Sequence, residues 1–134
     1  MTVDTEKYLE FVKGVTSDAS LDYAMMATRF AELEANGTNT SQLMTAALGL
    51  TAESGEFTEV VKKIVFQGKP YNEDNVFHMK RELGDICWYL AQACMALETT
   101  FDEVIEMNVE KLQARYPGGS FDVHNSENRK EGDL

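Results

Sequence analysis

Two pairs of acidic residues, each spaced three positions apart, are the part of this sequence best suited to chemistry. Glu53 and Glu56 stand in the stretch AESGE, and Glu82 and Asp85 stand in RELGD. Residues three apart share one face of a helix, so each pair would direct two carboxylates the same way. Carboxylate oxygens are the ligands that Mg²⁺ prefers, and a divalent cation held by them could in turn bind an anionic ligand.

The first acidic pair interrupts an apolar stripe. If its segment forms a helix with about 100° between residues, side chains three and four apart form a stripe that includes Leu50 and Phe57. Glu53 stands in the middle of this stripe, and Glu56 lies about 60° to one side of it. A carboxylate in such a position is costly unless something pairs with it. Gly55, between the two acids, keeps the helix surface free of bulk.

The second acidic pair borders an apolar stripe in the same way. Glu82 and Asp85 lie beside the main stripe of a helix predicted over residues 75–97. That stripe consists of Met79, Leu83, Ile86, Leu90 and Leu97. One acidic pair alone is usually a solvated helix face, whereas two pairs beside the stripes of adjacent helices also fit a shared cation site, and the spacing leaves both interpretations open. His78, one turn before Glu82, could reach the same site, although a lone histidine is often incidental.

Five helices are needed to position these residues. Apolar residues three and four apart, together with helix-stop signals, predict helices over residues 4–13, 21–35, 40–66, 75–97 and 100–116. Thr100 and Glu103 match a capping box at the start of the last helix. With 134 residues, 43% of them hydrophobic, and two prolines, the chain is predicted to be all-α, a four- to five-helix bundle. We expect one domain over residues 1–117 and a polar tail over residues 118–134, either disordered or draped over a domain.

The charge balance excludes several classes of partner. Twelve basic and 23 acidic residues give a net charge of −11, which argues against binding a nucleic-acid polymer or an anionic membrane surface. We expect no signal peptide, and no apolar run approaches the ~18 residues of a membrane span. Cys87 and Cys94 lie seven apart on one predicted helix, where a disulfide between them is difficult. Reduced thiols are typical of a cytoplasmic protein.

Three longer stretches resemble a known family. GLTAESGEFTEVVKK, RELGDICWYLAQ and NVEKLQARYP, within residues 48–129, are similar to the MazG-like all-α nucleoside triphosphate pyrophosphohydrolases. The resemblance implies the helical bundle of that family and hydrolysis of a nucleoside triphosphate (NTP or dNTP) to the monophosphate and pyrophosphate. It also implies Mg²⁺ as the cofactor, with Mn²⁺ able to substitute, bound by Glu53, Glu56, Glu82 and Asp85. Water activated by the metal would attack the α-phosphorus, with Glu53 or Glu56 orienting or deprotonating it.

Five further residues enter as substrate-binding candidates. Asn108 and Lys111 match the family's N-x-x-K, which implies contact with phosphate or a ligand carboxylate. Arg115 lies one helical turn after Lys111, so both could point at one anion, unless Arg115 pairs with an acid of the chain. Lys63 could add positive charge near the phosphates or simply lie on the surface. Tyr89 matches a position where related enzymes place an aromatic ring near the base, although a half-buried core tyrosine is the alternative.

The segment over residues 86–97, ICWYLAQACMAL, is apolar on nearly every side of its helix. Such a helix is buried all round, and five helices in one small chain can hardly surround it. We therefore expect it to pack against a second copy of the chain, with Trp88 used for packing. The family resemblance likewise implies homodimers or tetramers built from dimers, with the nucleotide pocket near the subunit boundary.

Three alternatives to nucleotide hydrolysis differ from it in motif, turnover or substrate. A di-iron carboxylate bundle would use Glu-x-x-His on two helices, and this sequence contains no such motif. A non-catalytic acidic helical interaction protein would fold without metal-dependent turnover. A phosphoribosyl-ATP pyrophosphohydrolase-like enzyme would share the helical framework and differ in substrate. The sequence leaves the base and sugar preference open.

Overall fold

The computed structural model describes residues 4–129, and every regular element in this part of the chain is a helix. The elements are α1 Thr5–Val15, α2 Asp18–Leu21, α3 Tyr23–Ala35, α4 Thr40–Phe66, α5 Glu73–Ala96, α6 Phe101–Arg115 and α7 Val123–Glu127. The all-α prediction is confirmed, and each of the five predicted helices corresponds to one of the long ones. The two short helices, α2 and α7, were not predicted, because helices this short carry too few residues to show a periodicity.

Side-chain caps explain where most helices begin. Each cap is an Asp, Asn or Thr whose side-chain oxygen accepts the backbone N–H three residues on. These caps are Asp4, Asp22, Asn72, Thr100 and Asp122. The predicted start at Thr100 is confirmed, with its hydroxyl 3.2 Å from the Glu103 nitrogen. The Glu103 carboxylate accepts a hydrogen bond from the Thr99 hydroxyl.

The chain divides into two compact units, Met1–Thr40 and Ser41–Leu134. Within the first unit, Asp22 ends α2 and caps α3, which makes a tight corner between them. The predicted stop of α3 at Asn36-Gly37 is confirmed: Gly37 has φ +87°, and the Thr38 N–H returns to the Leu33 carbonyl at 3.0 Å. The predicted organisation into a domain over 1–117 and a tail over 118–134 stays a prediction.

In the second unit, α4 and α5 form an antiparallel helical hairpin. Gln42, early in α4, donates to Gln92, late in α5, at 2.8 Å. At the other end, the Asn75 amide donates to the Pro70 carbonyl at 2.7 Å, which ties the connecting loop to the start of α5. Between these ends the two helices face each other, so residues from the middle of α4 meet residues from the middle of α5.

Little apolar surface is buried within residues 4–129. The buried apolar side chains are Ala46, Val60 and Cys94, whereas Trp88, in the middle of α5, is 54% exposed. The apolar segment over residues 86–97 is therefore only partly covered by its own chain. No helix in the described part of the chain is both long enough and apolar enough to cross a membrane.

After α6 the chain turns back briefly. The Phe121 ring lies 5.8 Å from the Tyr116 ring, and Asp122 caps α7 through a 2.7 Å bond from the Asn125 nitrogen. The part of the predicted tail over 118–129 thus contains local structure. The rest of the predicted tail, residues 130–134, lies outside the described residues.

Candidate metal centre

Three carboxylates from two helices meet at the middle of the α4–α5 hairpin. Glu53 of α4 and Glu82 and Asp85 of α5 each offer an oxygen, and the three oxygens all lie within 4.8 Å of one another. The spacing of three puts the two α5 acids on one face of that helix. Antiparallel packing then brings Glu53 opposite them.

The three acids differ in their exposure to solvent. Glu82 is buried, with 6% of its surface exposed, Glu53 is half-buried, and Asp85 is exposed. The cluster therefore has a buried side, its floor, at Glu82, and a solvent-exposed edge at Asp85. A ligand can enter such a site from one side while the protein fixes the other.

Electrostatics at the cluster favour a bound cation. Partial burial raises the pKa of the Glu53 carboxyl, and the negative charges of Glu56, Asp85 and Glu82 raise it further. A hydrogen bond between the Glu53 and Glu82 side chains acts in the same direction. These causes all oppose the ionised form, and a divalent cation at the cluster would reverse the balance.

Glu56, the fourth predicted ligand, stands apart from the other three. Its oxygens are outside the set that lies within 4.8 Å, and its side chain is exposed. Its negative charge is nevertheless close enough to raise the pKa of Glu53. The structure thus brings together three of the four predicted acids and leaves Glu56 beside them. Its roles as ligand and catalytic residue stay predictions.

The cluster fits a small, hard cation. Mg²⁺ binds oxygen ligands at about 2.1 Å, so ligands on opposite sides of the ion stand about 4.2 Å apart. The three carboxylate oxygens lie within 4.8 Å of one another, which is close to that separation. The helix surface beside them is open as well: no neighbouring atom of the described residues lies within 4 Å of where a Cβ on Gly55 or Gly84 would stand.

A histidine also reaches the cluster. The Nε2 atom of His78 lies 2.9 Å from Oε1 of Glu82, one helical turn away. The i, i+4 spacing was the signal for this contact in the sequence. What the spacing did not reveal is that the contact is made to the most deeply buried of the acids.

Gly49 sets how closely the two helices approach, a role that was not predicted from the sequence. A Cβ at this position would stand 2.1 Å from the Tyr89 ring, far inside van der Waals contact. The ring of Tyr89 therefore lies directly on the backbone of α4, with its neighbour Trp88 edge-on at 4.8 Å. The sequence signal that could have predicted this close approach was a pair of small residues, Ala46 and Gly49. They lie three apart on the buried face of α4.

Asn108 and Lys111 line a cavity at the junction of α5 and α6. This open cavity has a volume of about 790 Å³. The rest of its wall is formed by Leu97, Thr99, Glu103, Val104, Met107 and Glu110. The three clustered carboxylates are not part of that wall.

The other two basic candidates have contacts of their own. The Lys63 ammonium lies 3.0 Å from a Glu59 carboxylate oxygen, and its hydrogen bond and charge lower the pKa of Glu59. The Arg115 guanidinium stands 6.0 Å from the centre of the Tyr116 ring, within range of a cation–π contact. Roles of Lys63 and Arg115 in substrate binding stay predictions.

Comparison with known proteins points to one family. The family model for the MazG nucleotide pyrophosphohydrolase domain matches residues 41–120. The Gene 37 protein of Mycobacterium phage L5 is 36% identical over 73 residues, 54% of this chain and 64% of that relative, so the chain spans less than two thirds of the relative's length. No solved structure matches the chain significantly. The matched region contains the acidic cluster, Glu56 and the cavity at α5 and α6.

Proposed function

This chain belongs to the MazG nucleotide pyrophosphohydrolase family, and from this premise we propose that it hydrolyses a nucleoside triphosphate to the monophosphate and pyrophosphate with Mg²⁺ as cofactor. The observation that carries the proposal is the convergence of three carboxylates from α4 and α5 inside the family-matched region. Carboxylates gathered in this way repel one another when ionised, and a divalent cation bound among them offsets that repulsion and can bind phosphate oxygens.

In this proposal Glu53, Glu82 and Asp85 hold Mg²⁺, or Mn²⁺ in its place, and Glu56 stands beside these three ligands. When bound there, the ion would neutralise charge on the phosphate oxygens and would make water a better nucleophile at neutral pH. The buried Glu82 fixes the position of the site, and the exposed Asp85 lies where the triphosphate enters.

The reaction joins a water oxygen to the α-phosphorus. The bond from that phosphorus to the bridging oxygen breaks, and pyrophosphate leaves with the bridging oxygen. A carboxylate takes the proton of the attacking water, and we assign this role to Glu56 ahead of Glu53. Glu56 is supported because it is exposed and stands beside the cluster without being one of its three close oxygens.

The remaining substrate contacts are proposed for basic and aromatic residues. Asn108 and Lys111 receive the phosphates or a ligand carboxylate, a role supported by their place on the wall of an open cavity. Arg115 and Lys63 add positive charge, which for Lys63 requires leaving the exposed pair with Glu59. Tyr89 lies near the base, where its ring would serve both the helix contact and the substrate.

We further propose that the chain works as a cytoplasmic homodimer or as a tetramer built from dimers. The support for assembly is the uncovered apolar surface of α5, where Trp88, Met95 and Leu97 are each more than half exposed. Exposed apolar patches of this kind mark protein contacts. The support for the compartment is that Cys87 and Cys94 are both free thiols.

The test is hydrolysis in water enriched in ¹⁸O, with a panel of NTPs and dNTPs and with Mg²⁺ or Mn²⁺. We expect pyrophosphate release, with the heavy oxygen found in the monophosphate, and no turnover when the metal is chelated. Asp85→Asn is the inactive control. Release of single phosphate, or label in the pyrophosphate, would contradict attack at the α-phosphorus. Turnover only with phosphoribosyl-ATP would favour that related activity. No turnover of any substrate, with or without metal, would favour a non-catalytic interaction protein.

A further inference from the structure

His78 makes a specific contact with the floor of the carboxylate cluster. Its Nε2 atom lies 2.9 Å from Oε1 of Glu82, and the Glu82 side chain is only 8% exposed while that of His78 is 46% exposed. We propose that His78 is a positioning residue: it fixes one oxygen of Glu82 so that the carboxylate is already oriented for the cation. This inference rests on the proposed function, because it assumes that the cluster binds a divalent metal.

The contact has a defined direction. An ionised carboxylate only accepts hydrogen bonds, so the Nε2–H of His78 is the donor. Both the neutral imidazole protonated at Nε2 and the imidazolium can make this bond, so the proposal requires no particular charge on the ring. The other side chains facing Glu82, those of Glu53 and Asp85, are acids that repel it when ionised.

The donor matters because Glu82 is buried. A buried carboxylate without hydrogen bonds loses its solvation, and a long Glu side chain without a partner has several rotamers to choose from. Spacing of i, i+4 on one rigid helix holds the imidazole in a fixed place relative to the acid. Side chains that hydrogen-bond a metal-binding carboxylate orient it in this way, and their loss weakens metal binding.

The experiment compares four proteins by calorimetric titration with Mn²⁺ and with Mg²⁺. They are the wild type, His78→Phe, which keeps a ring but no donor, His78→Gln, whose amide can replace the donor, and His124→Phe, the same change at the chain's other histidine. His124 lies in α7, where it contacts Asn128. We expect His78→Phe to weaken metal binding about 10- to 100-fold, His78→Gln to recover most of that loss, and His124→Phe to bind as the wild type does.

A second measurement needs no variant. In the metal-free wild type labelled with ¹⁵N-histidine, the Nε2 proton of His78 should exchange with water more slowly than that of His124. Equal exchange rates overturn the hydrogen bond. Unchanged metal affinity in a folded His78→Phe, or no recovery in His78→Gln, overturns the positioning role.

The outcome separates this inference from the proposed function. A wild type that binds metal and releases pyrophosphate, together with a His78→Phe variant that binds metal equally well, removes only the role of His78. A wild type that binds metal and hydrolyses no nucleotide removes the proposed reaction, while the His78 variants still decide the positioning role. A wild type that takes up neither Mn²⁺ nor Mg²⁺ overturns both.

Discussion

The two acidic pairs have the same spacing, and the structure uses them differently. In α5, Glu82 and Asp85 both enter the cluster, whereas in α4 only Glu53 does and Glu56 stays outside. The turn before each pair differs as well. Four residues before Glu82 stands His78, whose Nε2 atom lies 2.9 Å from the Glu82 carboxylate, and four residues before Glu53 stands Gly49, on which the partner helix packs.

This difference shows that spacing assigns residues to a face, while the packing of the neighbouring helix assigns their depth. The α5 pair supplies a fixed floor, because Glu82 is buried and held. The α4 pair places Glu53 in the cluster at the helix contact and leaves Glu56 exposed beside it, where we propose that it accepts a proton. The proposed function divides the work accordingly: Glu82 and Asp85 of α5 and Glu53 of α4 hold the cation, and Glu56 of α4 accepts the proton of the water.

The largest expected effect separates these two tasks. Glu82→Gln should weaken Mn²⁺ and Mg²⁺ binding by more than about a hundredfold, because loss of a residue that only hydrogen-bonds a metal ligand already weakens binding by up to about a hundredfold. Turnover should fall with the metal affinity. Glu56→Gln should keep most of the metal affinity while kcat falls by about 10²–10⁴, the usual contribution of a general base. Calorimetric titration and a pyrophosphate-release assay measure the two quantities.

Circular dichroism on both variants provides the control for folding. Equal loss of metal binding in Glu82→Gln and Glu56→Gln would end the distinction between the pairs and favour four equivalent ligands. Full activity of Glu56→Gln would move proton transfer to Glu53.

A second matched pair of variants tests the turn before the α4 acids. Gly49→Ala puts a methyl group where the Tyr89 ring lies, so we expect a loss of about 1–3 kcal/mol in the free energy of unfolding, as for other overpacked sites. Gly55→Ala, in the same helix with open space above it, should gain about 1 kcal/mol from helix propensity. Chemical denaturation without metal measures both, and a Gly49→Ala variant as stable as the wild type would refute the close approach of α4 and α5.

The sequence predicted the features that depend on one helix alone. It did not predict the features that depend on how a second helix packs against the first. The bounds of α4, the stop at Asn36-Gly37 and the cap at Thr100 are local signals, and all three are confirmed. The meeting of Glu53 with the α5 acids was one of two interpretations that the stripes left open, the other being two solvated helix faces.

The sequence did not rank the acids by depth, because a stripe fixes the buried face of a helix only to within about one residue's rotation, ~100°. The stripes put Glu53 inside one of them and Glu82 beside the other, without deciding which side chain is deeper. In the structure Glu82, which only bordered a stripe, is the buried one. The need for glycine at 49 was missed for the same reason, since it depends on where the Tyr89 ring falls on the other helix.

Helix ends offer a further matched comparison, with a smaller effect. The turns after α3 and α5 have the same pattern, in which an N–H returns five residues back at 3.0 Å, from Thr38 to Leu33 and from Thr99 to Cys94. The residue with positive φ is Gly37 in one turn and Glu98, at φ 55°, in the other.

A non-glycine side chain in the left-handed region is strained, so Glu98→Gly should stabilise the protein by about 0.5–1 kcal/mol. Gly37→Ala, the reciprocal control, should destabilise it by a similar amount. Thermal melting of the metal-free proteins reports both. A lower melting temperature for Glu98→Gly would show that the glutamate side chain contributes more than its backbone strain costs.

The smallest expected effect concerns a third acid on α4, Glu59, three residues after Glu56. Lys63 lowers the pKa of Glu59, whereas burial and neighbouring acids raise that of Glu53. A carboxyl whose pKa is lower in the folded state stabilises the fold above its unfolded pKa, and that contribution disappears as the pH falls through the folded value. Lys63→Met should therefore return the pKa of Glu59 toward its ordinary value, measurable by ¹³C NMR.

Because this pair is exposed and screened by solvent, the same substitution should barely change stability at neutral pH and not at all in acid. That weakness is also what would allow Lys63 to leave Glu59 for a phosphate, so we expect KM for the triphosphate to rise while kcat is unchanged. Glu59→Gln is the matched control, since it releases Lys63 without removing its charge and should not raise KM. An unchanged KM in Lys63→Met would remove Lys63 from the substrate-binding residues and leave α4 with a surface ion pair at this position.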